Sequence, residues 1–278
     1  MKIVINPEYD FLREWIEQVP SFFEDRGEIL YKGRNLLKVF NTDNGVVVNV
    51  KRYRTPAFFN RIVYSFFRKS KAARSYQNTL KIAEKGFETA RAIAYIEIKQ
   101  GGLLSHSFFI SLQCIDVKEI RVCNSGPLLG NEKLIEAFTC YSASLHDAGI
   151  YHLDYSPGNI LYREDAGKYT FTLVDLNRMK FMPVNYNAGC KSFSRLFIDD
   201  EIYKCIGNVY SGLRYNTLGE DETTRLMINY KNNFWKRKAH LKRLKKIFCF
   251  LCLQSFIIFF QNSMYDFQND FIFLLYHP

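Results

Sequence analysis

HLDYSPGNILY, residues 152–162, places a histidine, an acid and an asparagine at fixed offsets around a Pro-Gly turn. The stretch before it, from Asn131 to Gly149, has helical spacing, with Ile135, Phe138 and Leu145 on one side and Gly149 as a stop. After it, NILYR (159–163) and YTFTLVDLN (169–177) read as strands joined by the polar turn EDAGK (164–168). A hairpin folds its ends together, so Asp154 and Asp175 are expected to meet, with Asn159 beside the first. Such a group suits phosphoryl transfer. Mg²⁺ held on hard oxygen ligands neutralises phosphate charge, while a carboxylate positions the attacking hydroxyl.

Working outward, residues 28–53 read as a three-stranded antiparallel meander. EILYKGRNLLKVF (28–40) turns at Lys32-Gly33-Arg34-Asn35, and DNG (43–45) is a hairpin signal before VVVNVKRY (46–53). Residues 72–85 follow as a helix with Ala73, Tyr76, Leu80 and Ala83 near one face and Gly86 closing it. ETARAIAYIEIKQG (88–101) and SHSFFISLQC (105–114) read as two more strands, the second ending at a lobe junction near Leu112–Asp116. The expected organisation is α+β in two lobes, 1–112 and 113–235, with a tail at 236–278.

Composition bounds the function. With 278 residues, 47% of them hydrophobic and 16% aromatic, the chain can bury a large core and is not disordered. The first twenty residues lack the charged start, apolar stretch and cleavage site of a secretory signal, so the body is expected in the cytosol. The seven cysteines are scattered and odd in number, and are expected as reduced thiols. Cys249 and Cys252 lie in an apolar run with no second ligand pair, so no zinc is expected. The net charge of +10 is partly local. KRKAHLKRLKK (236–246) carries seven cations, and restoring the later acids Asp266 and Asp270 leaves +5 for residues 1–235. A second basic cluster, FFRKSKAAR (66–74), reads either as a solvated helix face or as a binding surface. The absence of a zinc pattern or an aromatic RNA-binding signature argues against nucleic acid as the partner.

H-x-D-x-x-x-x-N at His152, Asp154 and Asn159, then Asp175 of DLN where kinases carry D-F-G, resembles the protein-kinase-like fold, as does Lys51 at the end of a strand. LHDAGIYHLDYSPGNILY (145–162) and NRIVYSFFRKSKA (60–72) narrow this. Over about residues 20–210 the chain resembles the bacterial lipopolysaccharide inner-core kinases, the Kdo and heptose kinase group.

The resemblance implies ATP and Mg²⁺ as cofactors and a Kdo or heptose hydroxyl on lipid-linked core as acceptor. It also implies a peripheral place on the cytoplasmic face of the inner membrane. Asp154 would be the catalytic base and Asn159 and Asp175 the metal ligands. Lys51 would grip the α- and β-phosphates, and the Gly33 turn would approach them. His152 would brace the loop, Leu176 would be core, and Asn177 would take the left-handed backbone usual for the glycine it replaces. The helix position that normally supplies a glutamate to the lysine aligns with Gln77, which can bond Lys51 without neutralising it; otherwise Glu84 serves from a shifted register. This departure leaves a pseudokinase open, as the catalytic loop leaves open another acceptor, a small molecule or a protein.

The tail follows its basic run with IFCFLCLQSFIIFF (247–260), too short to span a bilayer. It is expected either to lie on an anionic membrane surface or to pack as a core helix.

Overall fold

Alternating burial builds the N-terminal half of this computed structural model, which describes residues 1–124, 130–214 and 219–244. Its first strand is β1 (Lys2–Ile5), followed after a short 3₁₀ segment by helix α1 (Arg13–Phe22). The expected meander is β2 (Glu28–Lys32), β3 (Leu36–Asn41) and β4 (Val47–Tyr53). Helix α2 (Phe58–Ile62) runs into a π-helical turn at Val63–Phe67, and helix α3 (Lys71–Glu84) follows. The α3 start is capped by Ser70, whose Oγ accepts from Ala73 N at 3.1 Å, and Gly86 closes it with φ +83°. Strands β5 (Ala92–Gln100) and β6 (Leu103–Leu112) complete a six-stranded antiparallel sheet of order β1-β5-β6-β4-β3-β2.

Because successive side chains point to opposite faces, this sheet serves two cores. Val48, Val50, Ile96, Phe108 and Ile110 face α1, which presents Leu12, Ile16, Val19 and Phe23 at intervals of three and four. Tyr53, Ala92 and Tyr95 face the other way, against Ala72, Ala73 and Tyr76 of α3. Burying each large apolar side chain is worth about 1.5–3 kcal/mol, so α1 contributes substantially to the sheet's packing. Alternation puts Lys51 on the same face as Tyr53, the face that looks toward α3 and the second lobe.

The chain crosses over after Leu112. Strand β7 (Lys118–Glu119) and a 3₁₀ turn at Ile120–Asn124 precede helix α4 (Glu132–Asp147), which buries Ile135, Phe138 and Leu145 as its spacing predicts. Gly149 takes φ +71° and a Cβ there would press on the Met182 carbonyl at 3.1 Å, so the helix stop is also a close approach. Next come β8 (Ile150–His152), the hairpin β9 (Ile160–Asp165) and β10 (Lys168–Leu173), and β11 (Met179–Phe181). Sheets β10-β9-β7 and β11-β8 result. The β9–β10 turn uses positive φ at Ala166 and Gly167, and Ile160 pairs with Leu173 at its open end. Helices α5 (Tyr186–Ser192) and α6 (Asp200–Leu213) follow, and α6 packs on α4. Phe138 of α4 sits among the rings of Tyr155, Phe171, Phe193 and Phe197, an aromatic floor under the 152–159 loop.

The architecture is thus the expected α+β arrangement, β-rich at the N-terminus and mainly helical after the crossover. Backbone contacts group Met1–Ile228 as one unit and Asn229–Pro278 as another. Of the second, residues 229–244 are described and are helical. The apolar run 247–260, with Cys249 and Cys252, lies outside the described residues. Among the described residues no helix is long and apolar enough to cross a membrane.

Candidate active site

The hairpin brings the two quoted loops together through the backbone. Val174 N donates to Asn159 O at 3.0 Å and Leu153 N to Arg178 O at 2.9 Å. His152 is buried between them: its Nδ1 accepts from Asp154 N at 3.0 Å, and its Nε2 donates to Val174 O at 3.3 Å. Burial pushes the imidazole pKa down, which favours the neutral ring that can accept on one nitrogen while donating on the other. The geometry around His152 is that of a tie between loops.

Asp175 meets Lys51 across the lobes, Nζ to Oδ1 at 2.6 Å. Burial works to raise its carboxyl pKa, but the Lys51 ammonium and bonds from Lys51 and Asn177 outweigh it and hold the group below the usual carboxylate range. The left-handed residue of the DLN segment is Asp175 itself, with φ +57°. The expectation that Asn177 takes that conformation is therefore corrected. Asn177 instead donates from Nδ2 to Asp175 Oδ1 at 2.6 Å, fixing the carboxylate. Leu176 is buried as expected, and its carbonyl accepts from Asn78 Nδ2 of α3 at 2.7 Å.

Gln77 does not face Lys51. Its Oε1 accepts from Lys69 Nζ at 2.8 Å, and Glu84 is exposed near the α3 end. The residue turned toward β4 is Ser75, whose Oγ bonds the Tyr53 hydroxyl at 2.7 Å. Two residues along a helix are about 200° of rotation, so a register error of two exchanges one face for the other. The α3 face toward β4 thus presents the Ser75 hydroxyl to Tyr53, and Asp175 is the ion-pair partner of Lys51.

Asp154 is held by two cations: Arg195 Nη1 lies 2.7 Å from Oδ1 and Arg178 Nη1 3.8 Å from Oδ2. Arg195 also donates to Leu153 O at 3.0 Å. Asn159 donates from Nδ2 to Asp154 O at 2.8 Å, which leaves its amide oxygen to serve as a ligand. Gly158 packs beneath the Arg121 guanidinium, which Glu119 holds at 2.8 Å. Gly33 lies in the β2–β3 turn, where its N–H donates to Asn35 O at 3.1 Å.

More positive charge gathers at the start of α3. Burial lowers the Lys71 pKa, as do Arg34, Arg74 and Lys51 through repulsion, while Asp175 opposes them. Lys51 and Lys71 lie 5.4 and 5.9 Å from the Tyr53 ring centroid. Sequence reasoning noted Lys71 and Arg74 as part of a basic run without placing them in the cleft, and missed Arg34, Arg178, Arg195 and Ser75. Arg178 had a signal in its position directly after DLN. For Arg195, contacts distant in sequence decide, and no local pattern marks it.

The donor set fits a magnesium nucleotide. Asp175 stays ionised and Asn159 offers a second hard oxygen, and Mg²⁺ commonly takes one or two carboxylates with phosphate and water oxygens. Among the described residues no cluster of three or more His, Cys, Asp or Glu side chains could hold a metal by itself. Lys51, Lys71 and the α3 N-terminus create a positive potential of the kind that suits phosphate groups.

A sequence profile described as the lipopolysaccharide kinase (Kdo/WaaP) family matches residues 30–196, more than half of the chain. No curated protein matches it in sequence. Among solved structures, WaaP in complex with acyl carrier protein is similar at TM-score 0.57 and 17% identity, over 84% of this chain and 99% of that one. The Rio2 kinase from Chaetomium thermophilum gives TM-score 0.43 at 15% identity over 76% and 66% of the two chains. The MAP kinase LmaMPK10 from Leishmania major gives 0.40 at 14% over 79% and 65%.

Proposed function

Because the chain belongs to the lipopolysaccharide kinase (Kdo/WaaP) family, and is thereby a phosphotransferase, we propose that it transfers the γ-phosphate of Mg-ATP to a Kdo or heptose hydroxyl of the lipopolysaccharide inner core. The observation that carries this reading is the meeting of Asp154, Asn159 and Asp175 on two tied loops, with Lys51 of the other lobe on Asp175. In it, residues 1–112 are the nucleotide-binding lobe and residues from 113 to 235 the catalytic lobe.

Bound Mg-ATP would supply the transferable phosphoryl group and the divalent charge that neutralises it. Asp175 and the Asn159 amide oxygen would hold the metal, and Lys51 would contact the α- and β-phosphates. Lys71 would add charge beside it, and the Gly33 turn would approach the phosphates. Asp154 accepts a hydrogen bond from the acceptor hydroxyl and orients it in line with the phosphoryl group. His152 keeps the two loops in register. Arg195 and Arg178 flank Asp154, which suits an acceptor carrying a carboxylate or phosphate near the reacting hydroxyl. That chemistry favours the acidic sugar Kdo over an unsubstituted heptose. The site of action in this reading is the cytoplasmic face of the inner membrane, with the protein held there peripherally.

A second reading, a nucleotide-binding pseudokinase, draws on one observation: α3 offers Ser75 to the lysine's neighbourhood where kinases supply a glutamate. Incubation with ATP and Mg²⁺ on Kdo-lipid A and on heptosylated core, read by mass spectrometry, separates the possibilities. One phosphate gained on Kdo-lipid A is the expected result. Gain only on the heptosylated core overturns the Kdo assignment, and gain on neither supports the pseudokinase or another acceptor.

A further inference from the structure

Residues 58–67 form a surface that the cleft does not use. Phe58, Phe59, Phe66 and Phe67 are 60 to 83% exposed, and Val63 between them is also exposed. Four open aromatic rings on ten residues are an apolar patch of the kind that marks an interaction site. The segment is pinned to the start of β6: Arg61 Nε donates to Leu104 O at 2.9 Å, and Leu104 N donates to Ser65 Oγ at 2.8 Å. The rings therefore project from a fixed root.

The surroundings are cationic. No Asp or Glu occurs between Asp43 and Glu84, while Arg54, Arg68 and Lys69 flank the rings. Between the π-helical turn, α3 and the β1–β5 edge lies a cavity of about 580 Å³. Its walls carry Lys2, Arg68, Lys69 and Lys99 against a single acid, Glu97. The surface also sits at the sheet end far from the lobe crossover, because Tyr53 pairs with Ser107 there while Val48 pairs with Leu112 at the crossover.

We propose that residues 58–67 dock the protein on an anionic bilayer, the phenylalanines entering the headgroup region and the basic cavity at their root receiving a lipid phosphate. Aromatic side chains favour that interface, and each nearby Lys or Arg adds attraction to anionic lipid. An acidic protein partner fits less well, since ten residues fall short of the roughly 20–30 a side that a stable protein interface uses. The proposal deepens the reading of a membrane-borne acceptor, and it is tested with neither nucleotide nor acceptor present, so the two can fail separately.

The test is sedimentation of the full chain, tail retained, with phosphatidylcholine vesicles containing about 30% phosphatidylglycerol, at about 0.15 M salt. Wild type is expected to bind, and Phe59→Ser/Phe67→Ser to lower the bound fraction at least ~10-fold at an unchanged melting temperature. Arg68→Gln/Lys69→Gln should weaken binding and flatten its dependence on anionic lipid. The proposal is overturned if the Phe59/Phe67 double variant binds like wild type, or if wild type binds neutral vesicles equally well. It is also overturned if wild type binds no vesicles but binds acyl carrier protein through Phe59 and Phe67.

Discussion

Lys51 and Asp175 form the contact on which the cleft turns, and what surrounds them is more informative than either residue. Where a helix glutamate was expected to meet this lysine, α3 instead offers Ser75 to Tyr53, and among the described residues Asp175 is the acid paired with Lys51. Replacing Gln77 by Ala should therefore leave turnover within about threefold, because only the Lys69 bond is lost. On the proposed mechanism Asp175→Asn should lower turnover by about 100-fold or more, since metal binding and lysine placement would fail together. Steady-state rates at saturating ATP check both. His146 carries a separate, structural prediction. Burial, aided by Arg214, depresses its pKa to about 3, and its Nδ1 bonds the Tyr210 hydroxyl at 2.9 Å. Its folded pKa lies below the unfolded value of about 6.5, so the unfolded chain alone takes up a proton between the two. Stability is complete above pH 6.5 and falls as pH drops toward 3, by at most about 1.4 kcal/mol per unit from this group. Urea midpoints at pH 7 and pH 5 should differ in wild type, and His146→Gln should shrink the difference.

At the scale of elements, legibility followed locality. The meander, α3, α4 and the β9–β10 hairpin could be read because turn residues and apolar periods bound each of them within a few residues. The 1–27 region went unread: β1 is four residues long, and the α1 stripe Leu12, Ile16, Val19 and Phe23 is interrupted by Pro20. Its support lies elsewhere in the chain. Buried Lys38 of β3 donates to the carbonyls of Phe23, Glu24 and Arg26 at 2.7, 2.8 and 2.9 Å, closing the α1 end. Lys38→Met leaves those carbonyls without that donor and should cost about 2–4 kcal/mol in urea unfolding. α3 acts at a distance too, through the Asn78 bond to the Leu176 carbonyl. Asn78→Ala should reduce kcat about tenfold by loosening the DLN segment while costing only about 1 kcal/mol of stability. A large loss of stability with kcat unchanged would show that this bond serves packing.

Across the whole molecule, the site divides the same way. Asp154, Asn159 and Asp175 could be brought together from sequence because one hairpin joins them. The α3 register, the Arg178–Asp154–Arg195 group and the pairing of the cations Arg34 and Lys71 depend on contacts between segments far apart in sequence, which local spacing does not fix. The family assignment supplies the class of chemistry, and in the geometry Asp175, not a glutamate of α3, pairs with Lys51. The direct measurement is transfer of label from γ-³²P-ATP to Kdo-lipid A in Mg²⁺, with wild type, Asp154→Asn and a chelator control in parallel. Label entering the lipid with wild type, and lost both in Asp154→Asn and on chelation, is the predicted result. An unlabelled lipid with wild type that still binds ATP, or equal labelling by Asp154→Asn, would contradict it.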